Sequence, residues 1–216
     1  PVYVAPHLAT GEASFVVSPV IEQGNRAMST SVRPRRSLLY MPGSNARALE
    51  KAKTLPADGL ILDLEDAVAP DAKALGREQV CHAVKGGGYG GRELVIRING
   101  LDTPWGKDDL AAAVAAKPDA VLVPKVESAA QVQAVEALLH THHAPAETTI
   151  WCMMETPLGI LHAEAIAGAS KRVACLVLGT SDLTKDLHAR HTPLRLPMLT
   201  SLTLCLLAGR AYGLTV

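Results

Sequence analysis

The chain has 216 residues, and its 21 lysines and arginines are balanced by 21 aspartates and glutamates. A formally neutral chain carries no net field to draw it to nucleic acid or to an anionic membrane, so neither is expected as a partner. Aromatic residues make up only 3%, with a single Phe, so base stacking is poorly provided for and the core must be aliphatic.

Residues 1–35 read as a poorly ordered N-terminal extension, with Met28 as a candidate native start before the polar stretch STSVRPRR. They lack the basic start and long apolar core of a secretory signal. Arg33, Arg35 and Arg36, interrupted by Pro34, read as a solvated lead-in to the first strand, with a phosphate contact as the alternative. No apolar run reaches the 18 residues that mark a transmembrane helix. The four cysteines form no C-x-x-C pair, and Cys152, Cys175 and Cys205 lie in apolar runs as small hydrophobes. A reduced setting is expected, the cytoplasm or, in a eukaryote, the mitochondrial matrix.

From residue 37 the pattern alternates. SLLYM (37–41) reads as a strand and PGSN as a turn, with Ser44 or Asn45 capping a helix over 46–55. The second strand, 60–64, ends among Asp63, Glu65 and Asp66, and the helix over 71–84 stops at a run of glycines. The third strand, 94–98, carries Arg97 and leads to a helix over 107–116. The fourth, 120–126, contains Lys125 and precedes a helix over 128–140. The fifth, 150–155, closes on Glu155 before a helix over 158–167. The sixth, 175–179, runs on to Asp182, a long apolar helix covers 198–212, and 214–216 would begin a seventh strand.

Strands and helices in this alternation build a parallel sheet from βαβ units. A dinucleotide-binding doubly wound sheet should show G-x-G-x-x-G after its first strand, and PGSN does not match. Charged residues recur instead at successive strand ends, which favours an α/β fold of the TIM (β/α)8 barrel type, where the active site gathers at those ends. A full barrel takes ~250 residues, so residues 36–216 read as an incomplete barrel domain that stops before the last strands.

Glu155 and Asp182 lie one βα unit apart, and two carboxylates without nearby Cys or His suit Mg²⁺ or Mn²⁺. Helix capping explains both residues equally well on spacing alone. Arg97 sits inside an apolar strand, a costly place for a cation unless it is paired or aimed at a ligand. Its fork suits a carboxylate or an enolate oxygen, and an internal ion pair with Glu65 or Asp66 is the alternative. Asp63, Glu65 and Asp66 could orient Arg97, accept a proton or order metal-bound waters. Lys125 either faces the same mouth or is a surface lysine, and His162, His188 and His191 suggest no role.

RSLLYMPGSN, LILDLEDAV, VIRING, VLVPKVES, METPLGI and LGTSDLTKDL follow one another in this order. Together they resemble the citrate lyase beta-subunit-like proteins of the HpcH/HpaI aldolase superfamily, from about Arg36 to the C-terminus. The resemblance implies a TIM barrel and a Mg²⁺-dependent carbon–carbon lyase. Its substrate would be a 3-hydroxy-3-carboxyl acyl-CoA or acyl-carrier thioester of the citramalyl-CoA or malyl-CoA type, cleaved to acetyl-CoA and an α-keto acid. It implies Glu155 and Asp182 as metal ligands and Arg97 as the residue that binds substrate and stabilises the enolate. Asp63 or Glu65 is the candidate base, Ser181 and Glu155 line the substrate site, and Tyr40 and Lys51 help hold the CoA portion. Asn45 stands where some relatives carry Arg, which removes one CoA phosphate contact. The resemblance further implies a homo-oligomer, trimer or hexamer, with a C-terminal lid that this chain stops short of. Two alternatives remain: a class II aldolase acting on free hydroxy-keto acids, and an inactive, truncated paralogue that binds ligand.

Overall fold

The structure is a computed structural model that describes residues 33–216. Of the expected N-terminal extension, 1–35, residues 1–32 with the Met28 start lie outside the described residues. Six strands, β1 (Leu38–Pro42), β2 (Gly59–Asp63), β3 (Glu93–Arg97), β4 (Ala120–Val123), β5 (Thr149–Met154) and β6 (Val173–Leu178), form one sheet. They are hydrogen-bonded in chain order and all pairs are parallel. A doubly wound sheet reverses its strand order at a switch point, whereas unbroken sequential order is the winding of a barrel wall. Thr215 adds a parallel bridge to Cys175, so a seventh position is begun beside β6. Among the described residues β1 pairs only with β2, and the wall is therefore an open arc.

Both faces of the wall are apolar. Leu60, Leu62, Ile96, Val121, Ile150 and Cys152 pack outward in the large core shared with the helices. Alternate residues, namely Ile61, Val95, Ala120, Leu122, Trp151, Met153 and Cys175, form a second cluster on the concave side. This period of two within continuous apolar runs is what a strand buried on both faces requires, and it fills the interior as a packed core.

The helices are α1 (Ala46–Ala52), α2 (Lys73–Gly86), α3 (Gly106–Ala116), α4 (Ala129–Thr141), α5 (Pro157–Leu161), α6 (Ala163–Ala167), α7 (Thr180–Asp186) and α8 (Leu199–Ala211). Asn45, rather than Ser44, caps α1 by accepting from Ala48 N at 3.0 Å. Ser128 and Gln131 form a reciprocal capping box at α4. The expected single helix over 158–167 is two short ones that meet at His162. The fourth strand stops at Val123, three residues early, because Pro124 has no N–H to donate and Lys125 takes a left-handed backbone, φ 47°. On α8 the small residues Ser201, Cys205, Ala208 and Gly209 are buried, and Leu206 and Leu207 are exposed.

The basic lead-in is pinned rather than free. Arg36 pairs with Asp58, Arg35 with Glu93 and Arg33 with Asp119, each at 2.7 Å, where β2, β3 and β4 begin. Arg35 also donates to Thr215 Oγ1 at 2.8 Å and stacks 5.0 Å from the Trp151 ring. The cluster thus closes the amino end of the wall, and these arginines are engaged by carboxylates rather than left to a phosphate.

Candidate active site

The register places Asp63 beside Arg97 at the carboxyl ends of β2 and β3. Both are buried, so the guanidinium must be neutralised where it stands. Asp63 supplies a fork, with Arg97 Nε to Oδ1 at 2.7 Å and Nη2 to Oδ2 at 2.6 Å. Asp63 also accepts the backbone N–H groups of Glu65 and Ala67 at 2.8 and 3.0 Å. Four donors occupy this carboxylate, so its role in the geometry is to fix Arg97. The other edge of the guanidinium reaches Glu65 Oε2 at 3.0 Å and Asp66 Oδ2 at 3.5 Å, and the Tyr40 ring lies 5.1 Å away. Burial alone would lower the Arg97 pKa, but the hydrogen bonds and charge of Asp63 outweigh it and raise it further. Burial pushes Tyr40 up to about 12, so it stays a neutral phenol.

A buried polar network backs this tip. Lys73 Nζ donates to Leu64 O, Glu65 O and Asn99 Oδ1 at 2.7–2.8 Å. Asn99 donates in turn to Asp109 Oδ2 at 2.6 Å, and Arg77 holds the other Asp109 oxygen at 2.7 Å. The loop that carries Glu65 is therefore anchored through its own carbonyls.

Across the mouth, Glu155 leaves the ladder after β5 and is only 3% exposed. It accepts Lys125 N at 2.9 Å. Burial dominates and pushes its carboxyl up to about 7, with the charge of Glu65 adding to the effect. Thr156 then caps α5, accepting from Gly159 N at 3.1 Å. Asp182 stands in the first turn of α7. Lys125 Nζ bridges the two sides, 3.4 Å from Asp182 Oδ2 and 3.9 Å from Glu65 Oε1. Burial works against the ammonium, yet Glu65 and Asp182 together hold its pKa above the ordinary value.

Asp63, Glu65, Arg97, Tyr40, Asp182 and, through the Lys125 backbone, Glu155 are therefore brought together at one mouth. Ser181 is exposed on α7 next to Asp182, and Lys51 is exposed on the last turn of α1, outside the ion-pair cluster. The sequence understated Lys125, and the signal for it was the Pro-Lys step that ends β4 in line with the other charged strand ends.

Among the described residues no group of three or more His, Cys, Asp or Glu gathers as a ready-made metal cage. Mg²⁺ asks for less, one or two protein carboxylates with water or substrate oxygens in the other positions. Glu155 fits that need: it is buried, it has no ion-pair partner among the described residues, and burial raises its carboxyl to about 7, so that a positive charge beside it would favour the anion. Gly179 keeps its position clear, because a Cβ there would lie 2.7 Å from Glu155 Cβ and run into Oε2. Gly179→Ala is expected to cost about 1–3 kcal/mol of stability and to weaken Mg²⁺ binding at least tenfold, read by calorimetric titration beside a urea unfolding curve. Unchanged Mg²⁺ affinity would show that Glu155 does not need this position.

An arc of parallel strands with an anchored guanidinium facing two carboxylates at its carboxyl ends defines the (β/α)-barrel class of enzyme. The chain belongs to the HpcH/HpaI aldolase/citrate lyase family, which it matches over residues 36–216. It is 49% identical over 189 residues to a (3S)-malyl-CoA thioesterase of Cereibacter sphaeroides, covering 88% of this chain and 64% of that protein. It is 36% identical over 187 residues to the citrate lyase subunit beta of Escherichia coli, covering 84% and 62%. The solved CitE protein of Mycobacterium tuberculosis, in complex with magnesium, acetoacetate and coenzyme A, superposes with a TM-score of 0.66 at 27% identity. That match covers 84% of this chain and 65% of the solved one. The chain thus spans less than two thirds of the length of these curated relatives.

Proposed function

We propose that this chain carries the catalytic face of a Mg²⁺-dependent lyase that cleaves a malyl-CoA or citramalyl-CoA type thioester to acetyl-CoA and an α-keto acid. The observation that carries the reading is the Arg97 fork, locked by Asp63, with Glu155 and Asp182 joined to the same mouth through Lys125. The likeness to a protein solved with magnesium, acetoacetate and coenzyme A supports the choice of ligands. Glu155 and Asp182 would hold the ion, which when bound supplies positive charge to the hydroxyl and carboxylate oxygens of the substrate.

The chain's own residues account for the remaining needs. Cleavage of the bond between the hydroxyl-bearing carbon and the thioester's α-carbon leaves an electron pair that becomes the enolate of acetyl-CoA. Arg97 is preorganised to meet that developing charge, because Asp63 has fixed its orientation in advance. The hydroxyl proton must leave as the keto group forms, and one proton must reach the enolate carbon to complete acetyl-CoA. Asp63 has four donors on it, so Glu65 is the proposed acceptor of the two, and burial raises its pKa above the ordinary value. Tyr40 stacks beside Arg97 at the exposed rim, where a thioester chain would enter.

Thioester hydrolysis is a second reading, favoured by the 49% identity to a malyl-CoA thioesterase. Products separate the two. Incubation of the chain with malyl-CoA or citramalyl-CoA and Mg²⁺ should yield a keto acid, trapped with phenylhydrazine, without free thiol, and EDTA should abolish it. Free thiol without keto acid would establish hydrolysis and overturn the lyase reading, and no product with either substrate would overturn both.

A further inference from the structure

Among the described residues, Lys125 is the cation at the mouth that can leave it. Arg97 is forked onto Asp63 and buried, whereas the Lys125 side chain is 53% exposed and grips its partners at 3.4 and 3.9 Å. Its backbone is unusual too. A φ of 47° places a non-glycine residue in the left-handed region, which costs free energy and persists only where the surroundings impose it. What that backbone achieves is visible: it turns the Lys125 N–H onto Glu155 Oε1 at 2.9 Å while sending the ammonium toward Asp182 and Glu65. One residue thus touches both carboxylates of the pair, one through its main chain and one through its side chain.

We propose that Lys125 is the resident counter-cation of the Glu155–Asp182 pair, neutralising the acidic mouth when no divalent ion is bound and yielding Asp182 when one enters, so that it sets the threshold for metal binding. The proposal rests on the reading of that pair as a divalent-cation site. The physical basis is competition. An ammonium 3.4 Å from Asp182 Oδ2 occupies the position from which a small dication would engage that oxygen, and the two positive charges repel at that distance. The charged groups that face Lys125 are Glu65 after β2, Asp182 on α7 and Glu155 after β5, with Arg97 on β3 held by Asp63 and Glu65. Release of the ammonium to solvent is open to a half-exposed side chain, and the backbone bond to Glu155 is retained throughout.

Mn²⁺ titration without thioester, followed by electron paramagnetic resonance, tests this with Lys125→Met and Lys125→Gly. Glycine adopts the left-handed backbone without strain, so that variant keeps the N–H aimed at Glu155 even where methionine disturbs it. Both variants are expected to bind Mn²⁺ about fivefold more tightly than the unaltered chain, equivalent to about 1 kcal/mol. Affinity that is unchanged or weaker in both would overturn the role of Lys125 and leave the metal pair standing. No Mn²⁺ binding by the unaltered chain or either variant would overturn the metal pair and the lysine proposal with it.

Discussion

Replacing Arg97 by methionine is expected to destabilise the chain by about 3–5 kcal/mol, seen as a fall in the urea midpoint. The cause is what the arginine leaves behind. Asp63 is 1% exposed and would lose both hydrogen bonds of the fork, and Glu65 would lose its pair at 3.0 Å. A buried carboxylate stripped of its cation costs more than the pair contributed when intact. Arg97→Lys retains the charge but not the fork, so it should cost less stability while still misplacing the donor. On the proposed reaction both variants lower kcat by roughly 10²–10³, the effect of removing one preorganised donor from a developing anion. An Arg97→Met chain as stable as the original would show that Asp63 and Glu65 find other partners, and the account of the mouth would have to change.

Glu155→Gln is expected to act in opposite directions with and without metal. The Glu155 carboxyl is raised from the ordinary 4.5 to about 7, first by burial. Below pH 4.5 it is protonated in both states and contributes nothing to the pH dependence. Between 4.5 and about 7 the folded chain holds a proton that the unfolded chain has lost, so stability falls as pH rises through this window. Above it the full penalty applies, up to about 3 kcal/mol at 1.36 kcal/mol per pH step. Glu65 is raised as well, again first by burial, and adds to the same slope. Glutamine removes the Glu155 share. In EDTA at pH 8 the variant should therefore be more stable than the unaltered chain by about 2–3 kcal/mol, and Mg²⁺ should stabilise the unaltered chain alone. A variant less stable than the unaltered chain under those conditions would mean that Glu155 is satisfied as an anion by the protein itself.

The wall was legible in the sequence because strands buried on both faces leave long apolar runs, and the charged residues that interrupt them mark the strand ends. That pattern singles out Arg97, Glu155 and Asp182 from the sequence alone. Partnership between distant residues was less legible. Arg35 reads as part of a solvated basic stretch, yet it meets Glu93, 58 residues on, and Thr215. Nothing in the expected helix over 107–116 singles out Asp109, yet it is fully buried under Asn99 and Arg77. Lys125 was understated for the same reason: a lysine after a strand has the same pattern whether it points to solvent or to Asp182. The proposed division between Asp63 and Glu65 also needed geometry, since it rests on the four donors that hold Asp63.

Glu155 and Asp182 are proposed to share one divalent ion facing Arg97. Crystals of the chain grown with Mn²⁺ and pyruvate, with data collected at the manganese absorption edge, test it most directly. One anomalous peak about 2.1–2.3 Å from an oxygen of each carboxylate, with the keto acid between it and Arg97, is the predicted result. A peak elsewhere, or none at the mouth, would contradict the account.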